Sequence, residues 1–453
     1  MWKRIYRQFG MLLVLAALAA FFSAATIRRF EHSSQEAVSA MLGRLDSSPR
    51  DGLLVVVSGP TPASRAFAEL CRKGLAERGF DSVERAEGQP FEVAAALDSL
   101  AQSGKQPAAI LVSGEIAGQW TFLSPQGFHE RFPRFSRTPL VVPGDYLWPV
   151  FLTRSNLEAV LNRIVVIAIV AIGMTLVIIS AGIDLSVGSL VALAGVASTL
   201  TMQALGGKAA PSAAVYAGVA VGTLACLAIG VFSGVMVAWF RVAPFIVTLA
   251  VMMIGRGLSL RLTGGNTIYD VPASFEWLGQ GRTLGVGNSL WLLILLYAAA
   301  HLVMTRTSFG RYVYAIGGNE QAARLSGVPV RGVLVSLYGI SAAIAALGGF
   351  ICASRVSSGV PKPPDLLEMY VIAAVVVGGT SLAGGSGSIP GTLVGALIIA
   401  VIQNGMNLMN IDAYTQYVVL GAIILAAVLV DGLRHSERFR RRLSVGKKEK
   451  ESL

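Results

Sequence analysis

The residues best suited to do chemistry are few and far apart. Ser180-Ala181-Gly182-Ile183-Asp184-Leu185-Ser186-Val187-Gly188-Ser189 interrupts two apolar runs with a single ionisable residue. A charge at membrane depth is expensive and is retained where it has a partner or a function. Asp184 has two compatible readings. It caps the next helix by accepting backbone N–H groups of its first turn, with Ser186 and Ser189 doing similar work, or it serves gating or partner contact. A second segment, Gly378 to Ser388, is glycine-rich enough to cradle phosphate through backbone N–H groups. It lacks the Lys-Ser/Thr ending of a nucleotide loop, and no such ending occurs in the chain. Nucleotide hydrolysis by this polypeptide is therefore not expected, and a tight helix-to-helix turn with close backbone approach is the better reading. The third segment is Gly317 to Val330. Asn319 suits an N-cap, Glu320 the positive end of a helix and Gly327 a C-terminal stop, so the pattern predicts a two-turn helix over 319–327. A helix so short is not stable alone and must pack on its own domain or on a partner.

Other polar residues say less. Gln403, Asn404 and Asn407 recur at helical spacing in an apolar run, either as interhelical hydrogen-bonding groups or along a polar path. His301 has no His or Cys nearby and is read as locally hydrogen-bonded. Arg256 and Arg261 are read as snorkelling to an outer interface. Cys71, Cys226 and Cys352 are scattered without metal-ligand spacing. No Ser-His-Asp, Cys-His or paired-carboxylate arrangement stands out, so no enzyme activity, metal or cofactor is expected.

The elements that hold these residues follow from composition. Of 453 residues, 54% are hydrophobic and 14% charged, against about a quarter charged in soluble chains; this excludes a soluble enzyme and a disordered protein. About 20 apolar residues make one membrane-spanning helix, and many such runs are present. Fifty glycines and 8% aromatics favour close-packed helices over an aromatic-girdled barrel. The net charge of +11 fits Lys and Arg gathered in cytoplasmic loops better than a nucleic-acid surface. Lys3, Arg4 and Arg7 precede an apolar run from Phe9 to Ile27. Ser23-Ala24-Ala25 would suit signal cleavage, but the run's length and its Arg28-Arg29 ending favour an uncleaved first helix. Further spans are predicted at 158–180, 186–205, 213–238, 243–262, 288–305, 333–353, 367–383, 389–408 and 415–431, for about ten in all. With the amino terminus inside, this count puts Arg306, Arg311, Arg324 and Arg331 inside, with the basic tail 434–453, as the positive-inside rule requires. Val166–Thr175 echoes Val371–Thr380, each leading into a Gly/Ser-rich break; an internal repeat or shared membrane composition accounts for this.

Residues 31–147 differ. They are charged and contain no spanning run. Leu53–Val57, Ala109–Val112 and Leu140–Val142 read as strands, with another near 82–86. Pro62–Arg78 and Phe91–Gln102 read as helices. This alternation predicts a small parallel α/β domain on the extracytoplasmic side. The fold class is thus an all-α polytopic membrane protein of about ten helices with a small α/β insert after the first. Its parts are an N-terminal helix (1–30), the insert (31–147), a transmembrane domain (148–433) and a basic cytoplasmic tail (434–453).

The run Ala171-Ile172-Gly173-Met174-Thr175 through Asp184-Leu185-Ser186-Val187-Gly188-Ser189 resembles the hallmark of permease subunits of ribose/xylose-type bacterial ABC sugar importers. Phe151-Leu152-Thr153 with Asn156-Leu157, Asn319-Glu320 with Ala323-Arg324-Leu325-Ser326-Gly327-Val328, and Ala373 to Gly385 resemble three further family segments in the same order. The resemblance covers about 150–433. It implies a dimer of permeases, homomeric or heteromeric, in the inner membrane, each on a cytoplasmic ATPase subunit, with an extracytoplasmic sugar-binding protein docking outside. It also implies an ATPase-coupling role for Asn319, Glu320, Ala323, Arg324, Leu325, Ser326 and Gly327. Translocation or gating is expected of Asp184, Ser186, Ser189, Asn404 and Asn407. The departure from the family is 31–147, whose opening resembles half of a sugar-type periplasmic binding protein; docking or regulation is its first-ranked role. Two other classes remain open. An ion-gradient-driven transporter should place paired acidic residues in the membrane, where Asp184 is nearly alone. A ligand sensor should carry a cytoplasmic output domain, where only a short basic tail follows.

Overall fold

A computed structural model describes residues 2–30, 35–45, 50, 52–117, 119–136, 138–143, 146–362 and 364–450; for 2–9, 28–30, 36, 125–126, 146–148, 154–155, 430 and 433–450 it describes the backbone alone. The side chains of Lys3, Arg4, Arg7 and the basic tail from Arg434, which carry part of the charge argument, lie outside that description. Two compact units form: Met1–Phe22 with Arg154–Leu453, and Ser23–Thr153. Helix α1 is Trp2–Ala25.

In the Ser23–Thr153 unit the order is β1 (Ile27–Phe30), α2 (Gln35–Gly43), β2 (Leu54–Ser58), α3 (Pro62–Glu77), β3 (Val83–Glu87), α4 (Pro90–Gln102), β4 (Ala109–Val112), α5 (Gly114–Ala117), α6 (Pro125–Arg131), β5 (Leu140–Val141) and β6 (Tyr146–Pro149). Strands β3-β2-β4-β5 form a parallel sheet. Both faces are covered, which is why β2 and β4 read as unbroken apolar runs. Leu54, Val56, Ala109 and Leu111 pack with Leu42, Phe67, Cys71 and Leu75 on one face. Val55, Val57, Ile110 and Val112 pack with Val93, Leu97, Phe128 and Phe135 on the other. Local chemistry sets the helix starts: Thr61 accepts the Ser64 N–H at 3.2 Å with Pro62 in the first turn. The unit takes in residues on both sides of 31–147 because β1 pairs antiparallel with β6, Ile27 opposite Pro149.

Cys71 is fully buried, and burial pushes its thiol from 9.0 up to about 12. Only the thiolate is a competent nucleophile, so iodoacetamide at about pH 9 is expected to leave Cys71 unmodified in the native protein and to alkylate it in urea; native labelling would contradict the packing. Because the folded value is raised, this group's contribution to stability is complete below the unfolded value of 9.0 and is lost as pH climbs toward about 12.

The second unit continues with α7 (Arg154–Ile179), α8 (Val187–Ala204), α9 (Ala213–Ala238), α10 (Pro244–Thr263), α11 (Asn288–Arg306), α12 (Ser308–Gly318), α13 (Glu320–Leu325), α14 (Val330–Arg355), α15 (Leu367–Val377), α16 (Ile389–Leu408) and α17 (Ala413–Lys450). Among the described residues, seven helices are long and apolar enough to cross a membrane, and Gly10–Ala25, Leu367–Val377 and Ala413–Leu429 are shorter apolar helices. Helix α14 lies at the centre, packed against α7, α8 and α9. Small residues allow this approach: Gly222 abuts the Ala194 carbonyl and Phe350, Gly230 abuts Tyr338 and Ala342, and Gly349 abuts Val191. Across the bundle, the Thr175 and Thr392 hydroxyls lie 2.7 Å apart, tying α7 to α16.

The helix predicted over 367–383 stops at Val377. Gly378 donates its N–H to the Ala374 carbonyl, and Gly379 follows at φ +83°, a left-handed conformation glycine adopts freely. At 11 residues, α15 is about 17 Å long and cannot span a 30 Å core alone. The last helix, expected over 415–431, instead runs on through the basic tail to Lys450.

Candidate functional site

The three segments singled out in the sequence meet at the end of α7. Gly385 donates its N–H to the Ile179 carbonyl at 2.8 Å. A Cβ on Gly317, in the last turn of α12, would collide with that same carbonyl and lie 2.6 Å from the Gly385 nitrogen. Gly384 and Gly385 adopt φ of +82° and +70°, and Tyr314 on α12 donates to the Gly387 carbonyl at 2.9 Å. The glycine-rich segment is therefore a turn of close backbone approach. It wedges against the break after α7 on one side and the end of α12 on the other.

Asp184 is 2% exposed and fully engaged. One oxygen accepts from the Ser186 N–H at 3.1 Å and the Ser186 hydroxyl at 2.5 Å. The other accepts from Ser341 at 2.9 Å. The expected cap on the first turn of α8 is not made: the carboxylate stops at Ser186, the residue before the helix, because its second oxygen is drawn sideways to α14. Ser189 donates to the Ser186 carbonyl at 2.8 Å, and Thr248 on α10 donates to the Ile183 carbonyl at 3.1 Å. The break is thus pinned by α10 and by Ser341, near the middle of the 26-residue α14. Gly173 makes room, since a Cβ there would lie 2.8 Å from the Ser341 Cα. Ser341→Ala leaves one buried carboxylate oxygen without its donor and is expected to cost about 1–3 kcal/mol. The check is thermal unfolding of Ser341→Ala, Asp184→Asn and the double variant. Additive losses would show that the two residues do not interact.

Helix α13 carries the segment 319–327. Asn319 accepts the Ala322 N–H at 2.9 Å, and Arg324 pairs with Glu320 at 2.8 Å on the exposed face. Ala323 is buried, Leu325 is 90% exposed, and Ser326 donates its N–H to the Ala322 carbonyl. Gly327 ends the helix at φ +83°. A cleft of about 810 Å³ lies beside it, lined by Ser180, Gly182, Arg241, Asn319, Glu320 and Tyr338 among others. The cleft joins the helix to the break that holds Asp184.

Asn404 and Asn407 are not brought to this place. Asn404 donates to Asn156 on α7 at 2.8 Å, and Asn407 accepts from Gln416 on α17 at 2.9 Å, so both link helices. His301 is exposed on α11. Arg256 is half-buried, and its Nε is buried with no acceptor among the described residues. Asp184, read from the sequence as nearly alone among intramembrane acids, has a buried companion: Glu368, in the first turn of α15, is 5% exposed and packs on Gly188. Its signal was an acidic residue opening an apolar run, which passes for an ordinary helix start.

Residues 156–428 match the family model described as branched-chain amino acid transport system / permease component. The chain is 45% identical over 289 residues to the ribose import permease protein RbsC of Escherichia coli, covering 63% of this chain and 88% of that protein. It is 40% identical to RbsC of Bacillus subtilis over 294 residues, 64% and 89% of the two chains. It is 35% identical to the L-arabinose ABC transporter permease protein AraH of Azospirillum brasilense over 332 residues, 73% and 94%. No solved structure matches it. With more than half of its length matched and its cleft, short helix and breaks inside the matched region, the chain belongs to the branched-chain amino acid transport system / permease component family.

Proposed function

We infer that this chain is the membrane-spanning permease subunit of an ATP-driven importer, moving a sugar or similar small polar solute inward with energy from a separate ATPase subunit. The observation that carries the reading is the junction of Ile179, Gly317 and Gly385. It connects an exposed short helix to both breaks in the bundle. The names of its relatives, ribose and L-arabinose permeases, favour a pentose. The protein is a multi-pass inner-membrane protein. In this reading the seven long apolar helices, α1 and α17 each cross, α15 makes the tenth crossing only together with the segment 378–388 that follows it, and the parallel-sheet unit lies on the extracytoplasmic side.

The partners are an ATPase beneath Asn319–Gly327, a second permease subunit, an extracytoplasmic sugar-binding protein and the surrounding lipid. The parallel-sheet unit docks that binding protein or regulates the docking. Closure of the ATPase pushes α13. Gly317 is wedged against both breaks, so the push reaches 179–186 and 378–388 and biases the bundle between outward-open and inward-open packings. The test is purification from the native membrane in mild detergent, followed by reconstitution. Near-stoichiometric recovery of an ATPase and ATP-dependent uptake of D-ribose or L-arabinose is expected. An intact preparation with no ATPase, or uptake that follows an ion gradient instead, would overturn the reading.

A further inference from the structure

The two carboxylates at the start of α8 are in opposite situations. Asp184 has three donors on its two oxygens. Glu368 is equally buried, yet its Oε2 has no hydrogen-bond donor among the described residues. That oxygen lies against Gly188, the second residue of α8, where any Cβ would collide with it. Glu368 is also the second residue of α15. The amino-terminal ends of two helices therefore lie beside it, but neither supplies a hydrogen bond to that oxygen. A buried carboxylate left unbonded is strongly destabilising, and such a group inside a bundle marks a place a solute visits. Among the described residues no group of three His, Cys, Asp or Glu could hold a metal ion. A solute rich in O–H donors would satisfy this oxygen, since hydroxyl bonds to a carboxylate are short and strong.

We propose that Glu368 is a solute-contacting residue of the translocation path, accepting hydrogen bonds from sugar hydroxyls as the sugar passes the start of α8. Asp184, by contrast, is a positioning residue that holds the break onto α14. Gly188 is there to let the carboxylate approach. This deepens the importer reading and rests on it.

The experiment uses the complete importer, with its ATPase and binding protein, in proteoliposomes. In a background where Cys71, Cys226 and Cys352 are replaced by serine, Glu368→Cys is treated with a small cationic thiosulfonate during ATP turnover. Modification is expected, slowed at least about fivefold by whichever of D-ribose, L-arabinose or D-xylose the wild type takes up best. Asp184→Cys is expected to show no such protection. As a second arm, Glu368→Gln keeps the side chain's size. It is expected to retain the ATPase, to lower uptake of the intact sugar about tenfold, and to shrink the preference over at least one monodeoxy analogue by a similar factor. A purely structural Glu368 would leave that preference unchanged. If the wild type transports the sugar but Glu368→Cys is unreactive or unprotected and the Glu368→Gln preferences match wild type, the proposal fails alone. If the wild type shows no ATP-driven uptake of any of the three sugars, the importer reading and the proposal both fall.

Discussion

Leu325→Asp is expected to uncouple the ATPase, abolishing ATP-driven uptake while the permease stays folded in the membrane. The side chain is 90% exposed at the end of α13, so its removal costs the isolated chain no more than about 0.5 kcal/mol. Buried against a partner, the same leucine contributes about 1.5–3 kcal/mol, and a carboxylate in its place adds a desolvation penalty. Association with the ATPase should weaken by at least about a hundredfold. Glu320→Ala is expected to act more mildly, since its pair with Arg324 is exposed and such pairs contribute little; its effect would come through the partner. Recovery of the ATPase with each variant and the uptake rate give the answer. Wild-type uptake and assembly in Leu325→Asp would remove α13 from the coupling role.

Gly317→Val should be the most damaging single substitution in the bundle, and Gly318→Ala beside it should be harmless. A Cβ at 317 meets the Ile179 carbonyl and the Gly385 nitrogen, both backbone atoms already joined to each other by a hydrogen bond. Backbone cannot rotate away as a side chain can, so the cost is about 3 kcal/mol or more. At 318 nothing lies within 4 Å of the added atom, and alanine in a helix is favoured over glycine by about 0.5–1 kcal/mol. Thermal unfolding in detergent and the amount of protein in the membrane should separate the two variants clearly. Equal melting temperatures would mean that α12 does not bear on the breaks.

The amino-acid sequence alone carries whatever depends on neighbours along the chain. The apolar runs at 213–238 and 389–408 coincide with α9 and α16 to the residue. Leu53–Val57 and Ala109–Val112 lie in or on β2 and β4. Asn319 and Gly327 bracket α13, because caps and stops act within one turn. Tertiary structure alone decided the rest. Asp184 finds its third donor 157 residues away, at Ser341, and no local pattern records that distance. Glu368 is an acidic residue at a helix start, a local pattern that carries no sign of its burial against Gly188. The 50 glycines announced close packing but not which backbones would touch. A glycine permits approach from any helix, and only the folded bundle selects Ile179 and Gly385 as the neighbours of Gly317. Sequence by itself thus determined most of the long apolar helices and the ends of α13, since hydropathy and capping are local energies. Which breaks share a contact, and which carboxylate is left without a donor, are properties of helices packed side by side, and these were decided only when the bundle formed.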